Sequence, residues 1–205
     1  MGNFTGTFYW FRGEGKGKFQ SKADLIKSGD QPLRVQGYHS DPFAIDWDGD
    51  GDLDLLSGSE KGGVQWAENT AGAGKLPELR PFQTLIKSGR SAHGGRSVNE
   101  FDLTGPGGST RVWAADMNGD GKLDLLVGDS VTLTSAAEGV TTNEIKKKLA
   151  DWKKSFDKAS DELSSGTVDQ TKRKRIIGKL SEVSYQIAEF MKEDDTGFVW
   201  LYLQK

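Results

Sequence analysis

Asp46-Trp47-Asp48-Gly49-Asp50-Gly51-Asp52-Leu53-Asp54, continuing as Leu55-Leu56-Ser57-Gly58, is the stretch whose reading decides the fold. A second copy runs Asp116-Met117-Asn118-Gly119-Asp120-Gly121-Lys122-Leu123-Asp124 and continues as Leu125-Leu126-Val127-Gly128. Oxygen-bearing side chains fall at loop positions one, three, five and nine: Asp46, Asp48, Asp50 and Asp54, then Asp116, Asn118, Asp120 and Asp124. Position six is Gly in both copies, Gly51 and Gly121. A hard cation such as calcium takes six to eight oxygens, and a short loop supplies them only by wrapping tightly around the ion. Alternate carboxylates give the ligands, and glycine gives the sharp turn that a side chain would block. The main-chain carbonyl at position seven, Asp52 or Lys122, is expected to complete each shell, so two Ca²⁺ sites are predicted.

Asp and Gly also form solvated turns with no ion, for purely local reasons. Against that reading, carboxylates crowded into nine residues repel one another unless something positive sits among them. Two copies at one ligand spacing strengthen the cation reading. An EF-hand loop would place a bidentate Glu at position twelve between two helices. Position twelve here is Ser57 or Val127. The flanks, Pro42-Phe-Ala-Ile45 and Arg111-Val-Trp-Ala-Ala115 before the loops and Leu-Leu-x-Gly after them, are short and apolar. The pattern predicts strand, ion loop, strand: a β-hairpin whose turn is tied by the metal.

These residues resemble the FG-GAP or VCBS repeat, known from the β-propeller of integrin α subunits and from bacterial extracellular proteins. The resemblance covers residues 1–135 and 196–205 and is strongest at the two loops. The literal Phe-Gly and Gly-Ala-Pro signatures are absent, so the likeness is to the calcium-loop form of the family. It implies propeller blades of four antiparallel strands, calcium between the first two strands of a blade, and an extracellular, cell-surface or periplasmic location.

A chain of 205 residues is long enough for one large or two small domains. With no Cys, no disulfide holds it together. A net charge of −3 is too mild for a nucleic-acid binder. No apolar run approaches membrane-spanning length. Met1-Gly-Asn-Phe-Thr-Gly-Thr7 has no signal-peptide character and leads straight to a strand, which suggests a chain cut from something longer.

Elements recur in order. Thr7-Phe-Tyr-Trp-Phe11, a glycine-rich turn and Leu25-Ile-Lys-Ser-Gly29 are matched by Gly63-Val-Gln-Trp66, a turn around Gly72 and Gly74, and Leu85-Ile-Lys-Ser-Gly89. Gly197-Phe-Val-Trp200-Leu-Tyr-Leu203 supplies a third Trp strand. Naming the strands before and after the ion loop a and b, the Trp strand c and the next strand d, the chain reads c-d, a-b-c-d, a-b-insertion-c. Strand b of the last set is expected to end near Gly128. The fold class is therefore mainly β, a partial β-propeller of four-stranded antiparallel blades with an inserted antiparallel α-helical hairpin. One complete blade and two partial ones cannot close a ring, since propellers close with four to eight blades. Self-association or the remainder of a longer propeller is expected to complete it, because an open strand edge invites association.

The insertion is residues 139–194. Ile145, Leu149, Trp152, Phe156, Ala159 and Leu163 are spaced 4, 3, 4, 3, 4, and Ile176, Leu180, Val183, Ile187 and Phe190 are spaced 4, 3, 4, 3. Those are helical seams. Thr141-x-x-Glu144 reads as a capping box, and Ser164-Ser-Gly166 as the break between helices. Residues 143–179 hold eleven Lys or Arg against six Asp or Glu, leaving −8 on the rest of the chain. Charge runs are usually solvated faces; the sharper reading is a docking surface for an acidic partner or polyanion.

The only histidines are His39 and His93, in corresponding connections before strand a. Ordinary loop histidines are favoured over a second metal site or a base, since no partner constellation is visible. Gly-x-Gly-x-Gly at 13–17 joins two strands and lacks the helix that phosphate binding exploits. Trp10, Trp66 and Trp200 are read as filling matching places between blades rather than stacking on sugar. The function expected is a calcium-binding propeller segment acting as a binding or scaffold module for a protein or carbohydrate ligand. The alternative is part of a carbohydrate-active enzyme such as a polysaccharide lyase, which the resemblance permits; no acid/base constellation marks catalytic residues.

Overall fold

A computed structural model describes residues 1–89, 96–97, 103–164 and 169–205. It divides into two compact units: Met1–Arg90, Thr104–Val131 and Gly197–Lys205 form the first, Ser91–Leu103 and Thr132–Thr196 the second. The protein is mainly β, with antiparallel sheets and two helices.

The first unit opens with short antiparallel pairs. β1 (Tyr9–Trp10) pairs β4 (Asp24–Leu25), β2 (Gly13–Gly15) pairs β3 (Lys18–Phe19), and β5 (Lys27–Ser28) pairs β6 (Gln31–Pro32). Then comes a complete four-stranded meander of β7 (Asp41–Ile45), β8 (Asp54–Gly58), β9 (Val64–Ala67) and β10 (Gln83–Ile86), each strand hydrogen-bonded to the next. This is the a-b-c-d order read from the sequence. β8 is buried at every residue, Asp54 to Gly58. Its apolar Leu55-Leu56 run, with no alternation, is what a strand covered on both faces requires. Leu55 joins Phe8, Leu33, Val35, Ala67 and Leu79 in one core. Leu56 joins Val64, Val112, Ala114, Leu125 and Val127 in another.

That second core ties the meander to a third sheet, in which β12 (Gly108–Ala115) and β15 (Val199–Tyr202) flank β13 (Asp124–Ala136). Backbone approach is close between the two sheets. A Cβ on Gly58 would lie 2.1 Å from the Thr110 carbonyl oxygen, so no larger residue fits. Thr110 is fully buried; its hydroxyl donates to the Gly63 carbonyl at 2.7 Å and accepts from the Ser59 N–H at 3.0 Å.

Two expectations are corrected here. β13 continues past Gly128 to Ala136, because Val131 and Thr134 find buried positions and the strand keeps further partners in the same five-stranded sheet. The Trp residues do not occupy matching places. Trp66 lies opposite Leu56, whereas Trp200 lies opposite Val127, and Leu201 lies opposite Leu126. A slip of one residue turns every side chain to the other face. Trp66 and Trp200 therefore reach the same core from opposite sheets, while Trp10 borders a cavity.

In the second unit, α1 (Thr142–Ser164) and α2 (Gln170–Ala188) are followed by β14 (Met191–Thr196), which pairs with β13. Ile145, Leu149 and Trp152, near the start of α1, share a core with Phe190 and Met191, beyond the end of α2, so the helices run antiparallel. The capping box forms: the Thr141 N–H and hydroxyl both donate to Glu144 Oε2 at 2.8 Å, and the Glu144 N–H donates back to Thr141 Oγ1. Asp169 caps α2 by accepting the Lys172 N–H at 2.8 Å. The side chains of Leu163, Leu180, Val183 and Ile187 lie outside the described residues. β11 (Arg96–Ser97) pairs with β13 in parallel, Arg96 opposite Thr132.

Candidate metal centre

Each acidic loop is the turn of a hairpin between strands, not between helices. Ile45 faces Asp54 across the first and Ala115 faces Asp124 across the second. The two loops share one hydrogen-bonded frame. Asp46 accepts the N–H groups of Gly49 at 2.8 Å and Gly51 at 3.0 Å; Asp116 accepts those of Gly119 at 2.7 Å and Gly121 at 2.9 Å. Asp48 and Asn118 accept the N–H two residues on, from Asp50 and Asp120. Asp50 and Asp120 do the same for Asp52 and Lys122. Short Asp and Asn side chains are suited to this, since they reach their own backbone two residues ahead.

Glycine is required at two positions, not one. Gly49 and Gly119 have φ +79°, and Gly51 and Gly121 have φ +93° and +85°, in the left-handed region that side chains disfavour. The reading of position six was incomplete, and the signal for position four was already present in Gly49 and Gly119.

Position nine has a role that spacing did not reveal. Asp54 is 2 % exposed and Asp124 fully buried. Asp54 accepts the Trp47 N–H at 3.1 Å and the Asn69 N–H at 2.7 Å. Asp124 accepts the Met117 N–H and the Gln204 N–H, both at 2.9 Å. Asn69 and Gln204 lie just beyond β9 and β15, so each Asp straps its loop to the end of the third strand of its sheet. Burial pushes the Asp54 carboxyl above its ordinary value, with the Asn69 and Trp47 N–H groups opposing the shift. Asp116 moves the other way, held down chiefly by the Gly121 N–H.

Ligand atoms of Asp46, Asp48 and Asp50 lie within 4.8 Å of one another. Asp54 is not among these three. Each of its oxygens keeps a second lone pair beyond the N–H it accepts. The donor set is all oxygen, as a hard cation demands. The chemistry and the convergence of the first loop therefore fit a divalent ion. In the second loop the Asn118 amide donates to Asp120 Oδ2 at 3.1 Å, so the side chains at positions three and five are joined to each other.

Position seven also differs. Asp52 is 5 % exposed; Oδ2 accepts the Gly72 N–H at 2.8 Å, while Oδ1 has no hydrogen-bond partner. It borders a cavity of about 550 Å³ walled also by Trp10, Ile26, Asn69 and Lys75. Lys122 is exposed.

Other residues singled out earlier lie apart. His39 is exposed at φ 55° and packs on Phe4 with ring centroids 4.5 Å apart; His93 lies outside the described residues. The sequence reading missed Asp129. Its carboxylate accepts the N–H groups of Gly107 and Phe198 and the Trp200 indole N–H, at 2.6, 2.7 and 3.0 Å, gathering both edges of the third sheet.

No curated protein and no solved structure matches the chain. The model of the FG-GAP-like repeat matches residues 46–127, a span that begins at the first acidic loop and ends on the strand after the second. Residues 46–127 are thus similar to an FG-GAP-like repeat, with the two acidic loops at the ends of the matched span.

Proposed function

We propose that this protein is a calcium-tied, propeller-type binding or scaffold module that works outside the cytoplasm. The observation that carries the reading is the pair of acidic loops with a shared hydrogen-bonded frame at the two ends of the span that matches the FG-GAP-like repeat. Asp46, Asp48, Asp50 and Asp54, with the Asp52 carbonyl, would hold one ion. Asp116, Asn118, Asp120 and Asp124, with the Lys122 carbonyl, would hold the second. The ion supplies positive charge among the carboxylates; the loops supply hairpin turns already shaped around it. Binding to the folded loops alone stabilises the fold by linkage. The stacked sheets of the first unit are read as successive blades, completed by sheets from another copy or from the rest of a longer chain.

Calorimetric titration of the metal-stripped chain with calcium tests this. Two binding steps are expected, with a melting temperature that rises in calcium and returns to its starting value in EDTA. Melting that is identical in calcium and in EDTA overturns the ion reading.

A further inference from the structure

Asn118-Gly119 is the one place in the sequence where Asn precedes Gly. The other four Asn residues precede Phe4, Thr70, Glu100 and Glu144. An Asn side-chain amide is an electrophile, and the peptide nitrogen after it is the nearest nucleophile. The bulk of the following side chain opposes ring closure between them, and glycine has none. Asn118 and Gly119 are both exposed, so water reaches them, and a Cβ at Gly119 would meet nothing within 4 Å. The Gly119 N–H donates to Asp116 Oδ1 at 2.7 Å, which sets a carboxylate on the proton that ring closure must remove. The Asp120 N–H donates to Asn118 Oδ1 at 2.9 Å, where negative charge develops as a nitrogen adds to Cγ. The frame of the second loop thus holds nucleophile, base and oxyanion donor around one amide. The first loop makes the matching bonds, from Gly49 to Asp46 and from Asp50 to Asp48. Its side chain at position three is already a carboxylate, which resists addition.

We propose that Asn118 is a self-modification site, deamidated by the loop that holds it. The Gly119 nitrogen bonds to Asn118 Cγ as its proton passes to Asp116. The Cγ–Nδ2 bond then breaks, and Nδ2 takes up that proton and leaves as ammonia. The remaining cyclic imide adds water. Opening at Cγ leaves an aspartate at position 118; opening at the main-chain carbonyl leaves an isoaspartate. Either product carries one more negative charge than Asn118. The aspartate gives the second loop the same side chains as the first at positions one, three, five and nine. The step needs no ion and stands apart from the calcium reading.

Timed incubation of the full chain in EDTA at mildly alkaline pH tests this, with one sample folded and another unfolded in guanidinium chloride. Peptide mass spectrometry reads the gain in mass from amide to acid. That gain is expected at Asn118 and at none of the other four Asn residues, and it should accumulate faster in the folded chain than in the unfolded one. A more negatively charged band on a native gel should grow in step. Asp116→Asn, folded by circular dichroism, is expected to lose the advantage of folding and convert at the unfolded rate. Should that variant disturb folding, the wild-type comparison decides alone. Asn118→Gln, whose longer side chain must close a larger ring, is expected to lose the conversion. An Asn118 that converts no faster in the folded chain than in the unfolded one overturns the proposal, since the reaction would then belong to the dipeptide and not to the loop. So does a folded Asp116→Asn chain that converts as fast as the wild type.

Discussion

The two acidic loops stand 70 residues apart and fold alike, yet they carry different charge. The first holds five carboxylates in nine residues; the second holds three and a lysine. Their backbone frames share their main bonds, from the position-one Asp that collects two glycine N–H groups to the position-nine Asp that straps the third strand; the second loop adds the Asp120 N–H to Asp116. The frame is therefore a property of short acceptor side chains and left-handed glycines, not of net charge. Charge decides something else: how the side chains at positions three and five meet. In the first loop three carboxylates converge. In the second, an amide–carboxylate hydrogen bond occupies the same place.

The largest effect should come from the feature the loops share. Asp54→Ala and Asp124→Ala each remove the acceptor of two backbone N–H groups at a buried site, and each is expected to cost about 3 kcal/mol. Urea denaturation in EDTA measures this, since the strap acts without an ion. A cost below about 1 kcal/mol in either variant would mean that the loops are held by something else.

Next comes the difference. Calcium at a hundredfold excess over Kd should add about 2.7 kcal/mol for each occupied site. Asp48→Ala is expected to delete the tighter calorimetric step and spare the weaker one, while Asp120→Ala does the reverse. Loss of both steps from one variant would show that the loops bind as a unit. Asn118→Asp then asks whether charge alone separates them. It should tighten the second site by about tenfold, since ligand charge tunes affinity in oxygen-ligated calcium loops. An unchanged affinity would place the difference in the loop frame instead.

The smallest effect concerns protons. Asp54 is raised above its ordinary 3.8 by burial, so in metal-free protein its contribution to stability is greatest at low pH and declines as pH rises through its folded value. Asp116 is lowered, so its contribution is present above 3.8 and lost as pH falls through its folded value. Stability of the wild type relative to Asp54→Asn should thus fall with rising pH, and relative to Asp116→Asn should rise. Parallel slopes in EDTA would contradict the opposed environments of the two carboxylates.

Much of this was legible from residue spacing because it is local. Every bond inside a loop frame spans five residues or fewer, apart from the strap to position nine, so sequence order nearly specifies it. The helices announce themselves by period, and Thr141 with Glu144 closes the capping box three residues apart. The strap partners were not legible. Asp54 reaches Asn69 across 15 residues and Asp124 reaches Gln204 across 80, and nothing at Asn69 or Gln204 marks either as an anchor. Asp129 was hidden for the same reason, with two of its three donors about 70 residues away.

The sequence by itself determined the two turns, the strands that flank them, the a-b-c-d order and the helical pair, because each follows from dihedral preference and side-chain period within a few residues. Tertiary structure alone decided which face each side chain takes. Trp66 and Trp200 look equivalent in the chain, yet a one-residue difference in pairing sends them into one core from opposite sides and leaves Leu201 outside. Register is set by which rows become buried, and burial belongs to the packed sheets rather than to any single strand.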